Sequence, residues 1–475
     1  MSMPALVNHT AVELAGLLAA GAVSAREVTA AHLERIAAVG PSVNAIVTIT
    51  AEAAMRQARM LDDAFARSGP VGPLHGLPVA HKDLAETRGV RTTYGSRIFA
   101  DNVPDVDALH VARMRAAGAI CLGKTNTPEF GAGSQTFNEI FGVTRNPYDL
   151  TKTSGGSSGG AAAALAARLV ALADGSDMGG SLRNPAAFCN VVGLRPAPGR
   201  VPMWPAGDPW SPISVAGPMA RTVGDVALLL DAISGPDSRS PLALDSPSRP
   251  FVSTLHEAPE KLRVAFSLDL GGLPVDPQVR TALERARTVL EEMGYDVHDD
   301  EPDLGGADEA FETWRAVAYA SSYGPLLRTH RSSLKDTVVW NIEQGLALNG
   351  EDVARAVRLR GQVHESARRF FDHYDILCAP VTQVPPFDVT VEWIPEIDGV
   401  PMTTYIEWMR SCSRIAVTGL PALSVPCGFT TGGLPLGMQI IGPARGERLV
   451  LQLAAAFEHA TGHHKCAPNL AAGVC

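Results

Sequence analysis

A serine- and glycine-rich run, Ser154-Gly-Gly-Ser-Ser-Gly-Gly160, leads directly into the apolar segment Ala161–Ala173, and a second glycine-rich run, Gly175-Ser-Asp-Met-Gly-Gly-Ser181, follows it. Three kinds of chemistry compete for the first run. A flexible Gly/Ser linker is one, but linkers do not usually run into an Ala/Leu helix in mid-domain. A phosphate cradle at a helix N-terminus is another, yet Gly160 is followed by Ala161 where a P-loop needs Lys and then Ser or Thr. The third is serine acyl transfer, since Gly155-Gly-Ser-Ser-Gly159 satisfies the G-x-S-x-G elbow with Ser157 as nucleophile. That elbow needs a strand running into it, and Asn146-Pro-Tyr-Asp-Leu-Thr-Lys-Thr153 reads as a poor strand.

The second run continues as Gly175-Ser-Asp-Met-Gly-Gly-Ser-Leu-Arg-Asn-Pro-Ala-Ala-Phe-Cys189 and Asn-Val-Val-Gly-Leu-Arg195. Together with 154–160 it strongly resembles the amidase signature. Further matches lie in order along nearly the whole chain: Gly76-Leu-Pro-Val-Ala-His-Lys-Asp83, Gly123-Lys-Thr-Asn-Thr-Pro-Glu129, Thr144-Arg-Asn-Pro147, Gly217-Pro-Met-Ala-Arg-Thr222 and Gly419-Leu-Pro-Ala-Leu-Ser-Val-Pro426. The resemblance implies an α/β fold of the amidase-signature type, a large mixed β-sheet flanked by helices on both faces. It implies one domain over 1–475, with the signature core at about 74–222.

By the same resemblance, Ser181 is the nucleophile, Ser157 the proton relay and Lys82 the base of a Ser-cisSer-Lys triad, with the Gly156–Ser157 peptide cis. A serine hydroxyl attacks an amide only if a base takes its proton. A lysine can be that base only when neutral, and burial is what lowers its pKa. Position alone would favour a surface Lys82 paired with Asp83; the family match reverses this. The tetrahedral intermediate needs backbone N–H donors, which Met178, Gly179, Gly180 and Ser181 are placed to supply as an oxyanion hole. Asp177 and Arg183 read as braces of that loop through charge-assisted hydrogen bonds. Gly131, Ala132, Gly133 and Asn184 are candidate substrate-binding residues.

Several positions depart from the family pattern. His81 stands where an aliphatic residue is usual, and strand alternation turns it away from Lys82. Met178 replaces a commoner threonine. Asn184, and Phe130-Gly-Ala-Gly-Ser134, differ from the glutaminase of tRNA-dependent amidotransferases, which favours a stand-alone hydrolase. The expected activity is cleavage of the carbon–nitrogen bond of apolar or aryl amides through an acyl-enzyme, with carbamates (urethanes) and esters chemically close. The competing readings are the glutaminase A-subunit of a tRNA-dependent amidotransferase, a serine esterase using the Ser157 elbow, and an inactive scaffold. Met203-Trp-Pro-Ala-Gly-Asp-Pro-Trp210 reads either as an entrance for an apolar or aryl substrate or as a rigid surface loop.

The elements that must carry these residues are legible in outline. Helical spacing covers Ala11–Ala20, Ala25–Val39 and Ala51–Ala66, with Ser24 and Glu27 forming a capping box. From Leu74 the texture alternates between short apolar segments (Leu77–Ala80, Ala119–Leu122) and helices (Ala108–Ala117, 220–233 opened by Thr222). Asp237–Pro250 reads as loop, Leu262–Phe266 as strand and Pro277–Met293 as helix. Ala307–Val400 reads as mostly helical, an insertion of about 300–410 over the active-site face. Leu423–Gly428, Gly437–Gly442 and Glu447–Ala460 read as strand, strand, helix.

A net charge of −10 and the lack of a dense basic block argue against nucleic acid. The seven cysteines are unpaired in spacing and form no CxxC, so neither a disulfide framework nor a structural zinc is expected. No metal or cofactor is implied. MSMPALVNHT lacks the marks of a signal peptide, and Ala161–Ala173 is too short to span a bilayer. The expectation is a cytoplasmic monomer or homodimer acting on a small-molecule amide, with no membrane or nucleic-acid partner.

Overall fold

Helix starts are where local sequence decides most. Thr10 and Ser24 each close a reciprocal capping box, with Glu13 and Glu27, at the heads of α1 (Ala11–Ala19) and α2 (Ala25–Val43). The structure, a computed structural model, describes residues 6–257, 259 and 261–470. The start of the MSMPALVNHT segment and Cys475 therefore lie outside the described residues. The other six cysteines are free. No helix among the described residues is long and apolar enough to cross a membrane.

The centre of the fold is one mixed sheet of 11 strands. In chain order these are β1 (Ile46–Ile49), β2 (Pro78–Lys82), β3 (Ile120–Thr125), β4 (Leu172–Asp177), β5 (Val192–Arg195), β6 (Val215–Ala220), β7 (Arg263–Phe266), β8 (Asp296–Asp299), β9 (Ile376–Pro380), β10 (Ala422–Phe429) and β11 (Pro435–Ile441). Their spatial order is β1-β3-β2-β4-β6-β5-β10-β11-β9-β7-β8. β2 runs parallel to both β3 and β4, so the C-terminal ends of these neighbours open on the same edge. From β4 through β9 the pairings are antiparallel, and β9, β7 and β8 are parallel again.

Helices flank the sheet on both faces. After α1 and α2 come α3 (Ala51–Ser68), α4 (Leu109–Ala116), α5 (Gly159–Ala166), α6 (Arg183–Phe188), α7 (Val223–Ile233) and α8 (Pro277–Glu292). Three consecutive helices, α9 (Ala307–His330), α10 (Asp336–Ala347) and α11 (Gly350–Phe370), precede β9, and α12 (Arg410–Thr418) and α13 (Glu447–Thr461) close the chain. Thr222 caps α7 through Asp225 N–H, as its position suggested.

Two sequence expectations need correction and one needs refinement. Ala161–Ala173 is not one apolar element: α5 ends at Ala166, Arg168 turns the chain at φ 60°, and Leu172 opens β4. The stretch 307–400 is mostly helical, as expected, but it also holds a strand that the expectation did not separate out. Ile376–Pro380 is a fully buried sheet strand, and a short apolar run of that kind carries no period to separate it from helix. Asn146–Thr153, which reads as a poor strand, does hold one: Asp149–Thr153 pairs with Arg145–Asn146 in a two-stranded ribbon apart from the large sheet.

The core explains the composition of the Gly/Ser/Ala stretch. Every residue of α5 is buried. A Cβ on Gly160 would stand 2.3 Å from the backbone N of Asn126, so only glycine lets this helix start against its neighbour. The segment is thus a packed wedge rather than a linker.

Candidate active site

Because β2 and β4 are parallel neighbours, they deliver Lys82 and the Asp177–Ser181 loop to one edge of the sheet. Lys82 is the last residue of β2 and is 1% exposed. Its Nζ donates to Ser157 Oγ at 2.7 Å, Ser158 Oγ at 2.9 Å and Ser176 Oγ at 3.0 Å. Three hydroxyls and no carboxylate surround it. Burial pushes its pKa down to about 7, against a weaker upward pull from Asp177 and Asp174. Asp83 is engaged elsewhere, accepting from the Thr93 amide and hydroxyl, so it does not pair with Lys82.

Ser157 follows a cis Gly156–Ser157 peptide and sits just ahead of α5. Ser158 N–H donates to Ser181 O at 3.2 Å, which ties the two glycine-rich segments together. Lys82, Ser157 and Ser181 line one cavity of about 350 Å³, in the range of small-ligand sites. The Ser157 hydroxyl is bonded to Lys82, and no hydrogen bond joins it to Ser181 among the described residues. The strand feeding Ser157 belongs to the small ribbon, so the strand–elbow–helix arrangement of a G-x-S-x-G hydrolase is not formed on the large sheet.

The Asp177–Ser181 loop is built around Asp177 itself. This carboxylate, 0% exposed, accepts two side-on bonds from Arg183 at 3.1 Å, one from Arg195 Nη1 at 3.1 Å, and the amides of Gly180 at 2.9 Å and Leu182 at 3.2 Å. Burial opposes its charge, but the two guanidiniums and the amides outweigh this and hold its pKa well below the carboxylate range. Arg183 also donates to Gln439 Oε1 and Cys412 O, which fastens the loop to β11 and α12. Asp177 and Arg183 are braces, as their position beside Ser181 suggested. The role of Arg195 carried no signal, because its partner lies on another strand.

Met178, Gly179, Gly180 and Ser181 form the loop proper. The Gly180 N–H is committed to Asp177, while the amides of Gly179 and Ser181 have no acceptor within the protein among the described residues. The two glycines are required by packing. A Cβ on Gly179 would stand 2.4 Å from the Phe311 ring of α9, and one on Gly180, at φ 121°, would stand 2.7 Å from Cys412 Cβ.

His81 does turn away from the Lys82 amine, but it shares a partner with that residue. Its Nδ1 meets Asp174 Oδ2 at 2.5 Å, while Asp174 Oδ1 accepts the Lys82 backbone N–H at 2.9 Å. Burial opposes charge on His81, yet Asp174 and Cys121 raise its pKa to about 9, so it is the cation that balances Asp174. His110 approaches the same carboxylate at 3.8 Å and lines the cavity.

Of the candidate substrate-binding residues, Gly131 lines the cavity, and a Cβ there would be 3.4 Å from Ser157 Oγ. Ala132, Gly133 and Asn184 are not in the cavity wall. Ala132 packs with Phe130 and Tyr319, and Asn184 donates to Ser134 Oγ at 2.7 Å, which in turn donates to Gly156 O at 2.8 Å. The segment from Met203 to Asp208 is part of the wall, together with Trp314, Tyr319 and Tyr323 of α9. Sequence spacing could not connect these walls.

Comparison with known proteins follows the same lines. The family model described as Amidase matches residues 27–451. The acylamidase of Rhodococcus erythropolis is 36% identical over 455 residues, spanning 94% of this chain and 94% of that protein. The A-subunit of the glutamyl-tRNA(Gln) amidotransferase of Moorella thermoacetica is 38% identical over 487 residues, spanning 97% of this chain and 98% of that protein. Among solved structures, a bacterial aryl acylamidase belonging to the amidase signature enzymes superposes with a TM-score of 0.91 at 30% identity, covering 97% of this chain and 98% of that one.

Two variants test the loop. Arg195→Met leaves Asp177 with one guanidinium in a dry site, and a loss of about 3–5 kcal/mol is expected in urea unfolding; a loss under about 1 kcal/mol would contradict the brace. Gly179→Ala is expected to cost about 1–3 kcal/mol by overpacking. Adding Phe311→Leu should return part of that loss, and no recovery would place the strain elsewhere.

Proposed function

The chain belongs to the amidase-signature family, enzymes that hydrolyse the carbon–nitrogen bond of amides, and on that premise we propose that it is a stand-alone serine amidase acting on linear apolar or aryl amides. Ser181 is the nucleophile, Ser157 the relay and Lys82 the base. The observation that carries this reading is the buried Lys82 Nζ–Ser157 Oγ bond of 2.7 Å on the wall of the cavity that also holds Ser181. A lysine lowered to about 7 is substantially neutral at physiological pH, as a base must be.

In the first half-reaction Ser181 Oγ bonds to the amide carbon while its proton passes to Ser157 Oγ, whose own proton passes to the neutral Lys82. The oxyanion is received by the free amides of the Met178–Ser181 loop, Gly179 and Ser181 foremost. Collapse breaks the C–N bond, and the proton returns through Ser157 to the leaving amine. Water then attacks the acyl-enzyme by the same relay, releasing the acid and restoring Ser181. Carbamates and esters present the same carbonyl to the same groups.

Aromatic walls support an apolar or aryl substrate: Trp204 and Trp314 line the cavity, and Phe130 stacks on Tyr323 with ring centroids 4.2 Å apart. The enzyme is read as one unit over the chain, a cytoplasmic monomer or homodimer without protein partners. The second reading, glutaminase of a tRNA-dependent amidotransferase, is favoured by relatives such as that of Moorella thermoacetica.

The test is hydrolysis of an aryl amide (a 4-nitroanilide), an aryl carbamate and glutamine by wild type and Ser181→Ala. Wild-type turnover of the anilide, reduced about a thousandfold or more in Ser181→Ala, is expected. Equal rates in the two proteins would overturn the Ser181 assignment. Ammonia release from glutamine alone would replace the amidase by the glutaminase reading.

A further inference from the structure

Among the described residues four arginines are buried: Arg183, Arg195, Arg200 and Arg315. The first two share Asp177 and the third pairs with Glu447. Arg315, on α9 and 4% exposed, has no carboxylate partner among the described residues. Its Nε donates to Asn341 Oδ1 and Tyr405 OH, both at 3.1 Å, and its Nη2 to Tyr405 OH at 2.7 Å and Tyr319 OH at 3.3 Å. Nη1 meets only Met178 Sδ, at 3.3 Å. All these partners are neutral, and a thioether is a weak acceptor.

A guanidinium out of water without a counter-charge is costly, and chains seldom retain one without an anion to meet it. Arg315 lines the cavity, and its least engaged nitrogen lies beside Met178, the residue that opens the nucleophile loop. The carboxylates of the wall do not answer it. Asp174 is held by His81 and the Lys82 amide, Glu86 faces Tyr94, and Asp208 is exposed and accepts from the Trp210 amide. The planar fork of arginine matches a carboxylate better than any other common ligand group in a small amide.

We infer that Arg315 recognises a carboxylate on the substrate, so that the enzyme acts on amides that carry an acid group in addition to the scissile bond. The inference rests on the amidase reading of the same cavity. Arg315 is a specificity residue: it takes no part in proton transfer, and its fixed partners, Tyr319, Tyr405 and Asn341, hold the fork in place.

The experiment compares matched pairs. Glutaryl 4-nitroanilide is set against pentanoyl 4-nitroanilide, which tests a carboxylate on the acyl side. Pentanoyl 4-aminobenzoate is set against pentanoyl 4-toluidide, which tests the amine side. Wild type is expected to favour the acid member of at least one pair by about ten- to a hundredfold in kcat/KM. In Arg315→Met that ratio should fall to about one, and Arg315→Lys should keep an intermediate value, whatever either variant does to absolute rates. No preference for either acid by wild type, a result independent of any variant's folding, would overturn the inference and leave the amidase reading standing. An unchanged ratio in Arg315→Met would assign Arg315 to structure alone. Failure of wild type on all four amides would instead contradict the amidase reading itself.

Discussion

A lysine amine taken out of water and met only by hydroxyl groups is the constraint on which the site rests. Lys82 has Ser157, Ser158 and Ser176 around its Nζ and no carboxylate in contact. Had an aspartate stood there, the lysine would be an ion pair and no base. Asp174 lies close by, but its charge is divided between His81, His110 and the Lys82 amide. The nearest negative charge is thereby taken up by other donors, and desolvation decides the outcome.

The rest of the fold keeps that arrangement rigid. Parallel β2 and β4 set the spacing of Lys82 and the Asp177–Ser181 loop, and α5 can bring Ser157 and Ser158 in because its first turn is glycine and its body alanine. Asp177 then binds four segments at once: its own loop, the head of α6 through Arg183, the end of β5 through Arg195, and, by way of Arg183 and Gln439, β11. Gln439 in turn donates to Pro380 O and Ser411 O. The Asp177–Ser181 loop is thus tied to both halves of the sheet.

Much of this was legible in the sequence because local rules govern it. The Ser24–Glu27 box, the Thr222 cap and the order of signature motifs gave the helix starts, the fold class and the grouping of Lys82, Ser157 and Ser181 around one cavity. What stayed hidden depends on pairings across the chain. β4 was masked inside an alanine-rich run, and β9 inside a helical region, since a short buried strand has no period of its own. Alternation correctly turned His81 away from Lys82, yet nothing local shows that both lean on Asp174. The candidate pocket residues followed the motif rather than the wall. Gly131 faces the cavity, whereas Asn184 is bonded to Ser134, and part of the wall comes from α9, whose Arg315 meets Met178 from a distant part of the chain.

The most direct test of a neutral Lys82 is the pH dependence of covalent capture at the nucleophile. The rate at which a fluorophosphonate labels the protein would be followed across the neutral and alkaline range, with the modified residue identified by mass spectrometry. The account predicts labelling of Ser181, a rate that rises through a midpoint near 7 and then levels, and a slow, flat profile in Lys82→Met. A midpoint near the ordinary lysine value of about 10.4, or labelling of Ser157 instead, would contradict it.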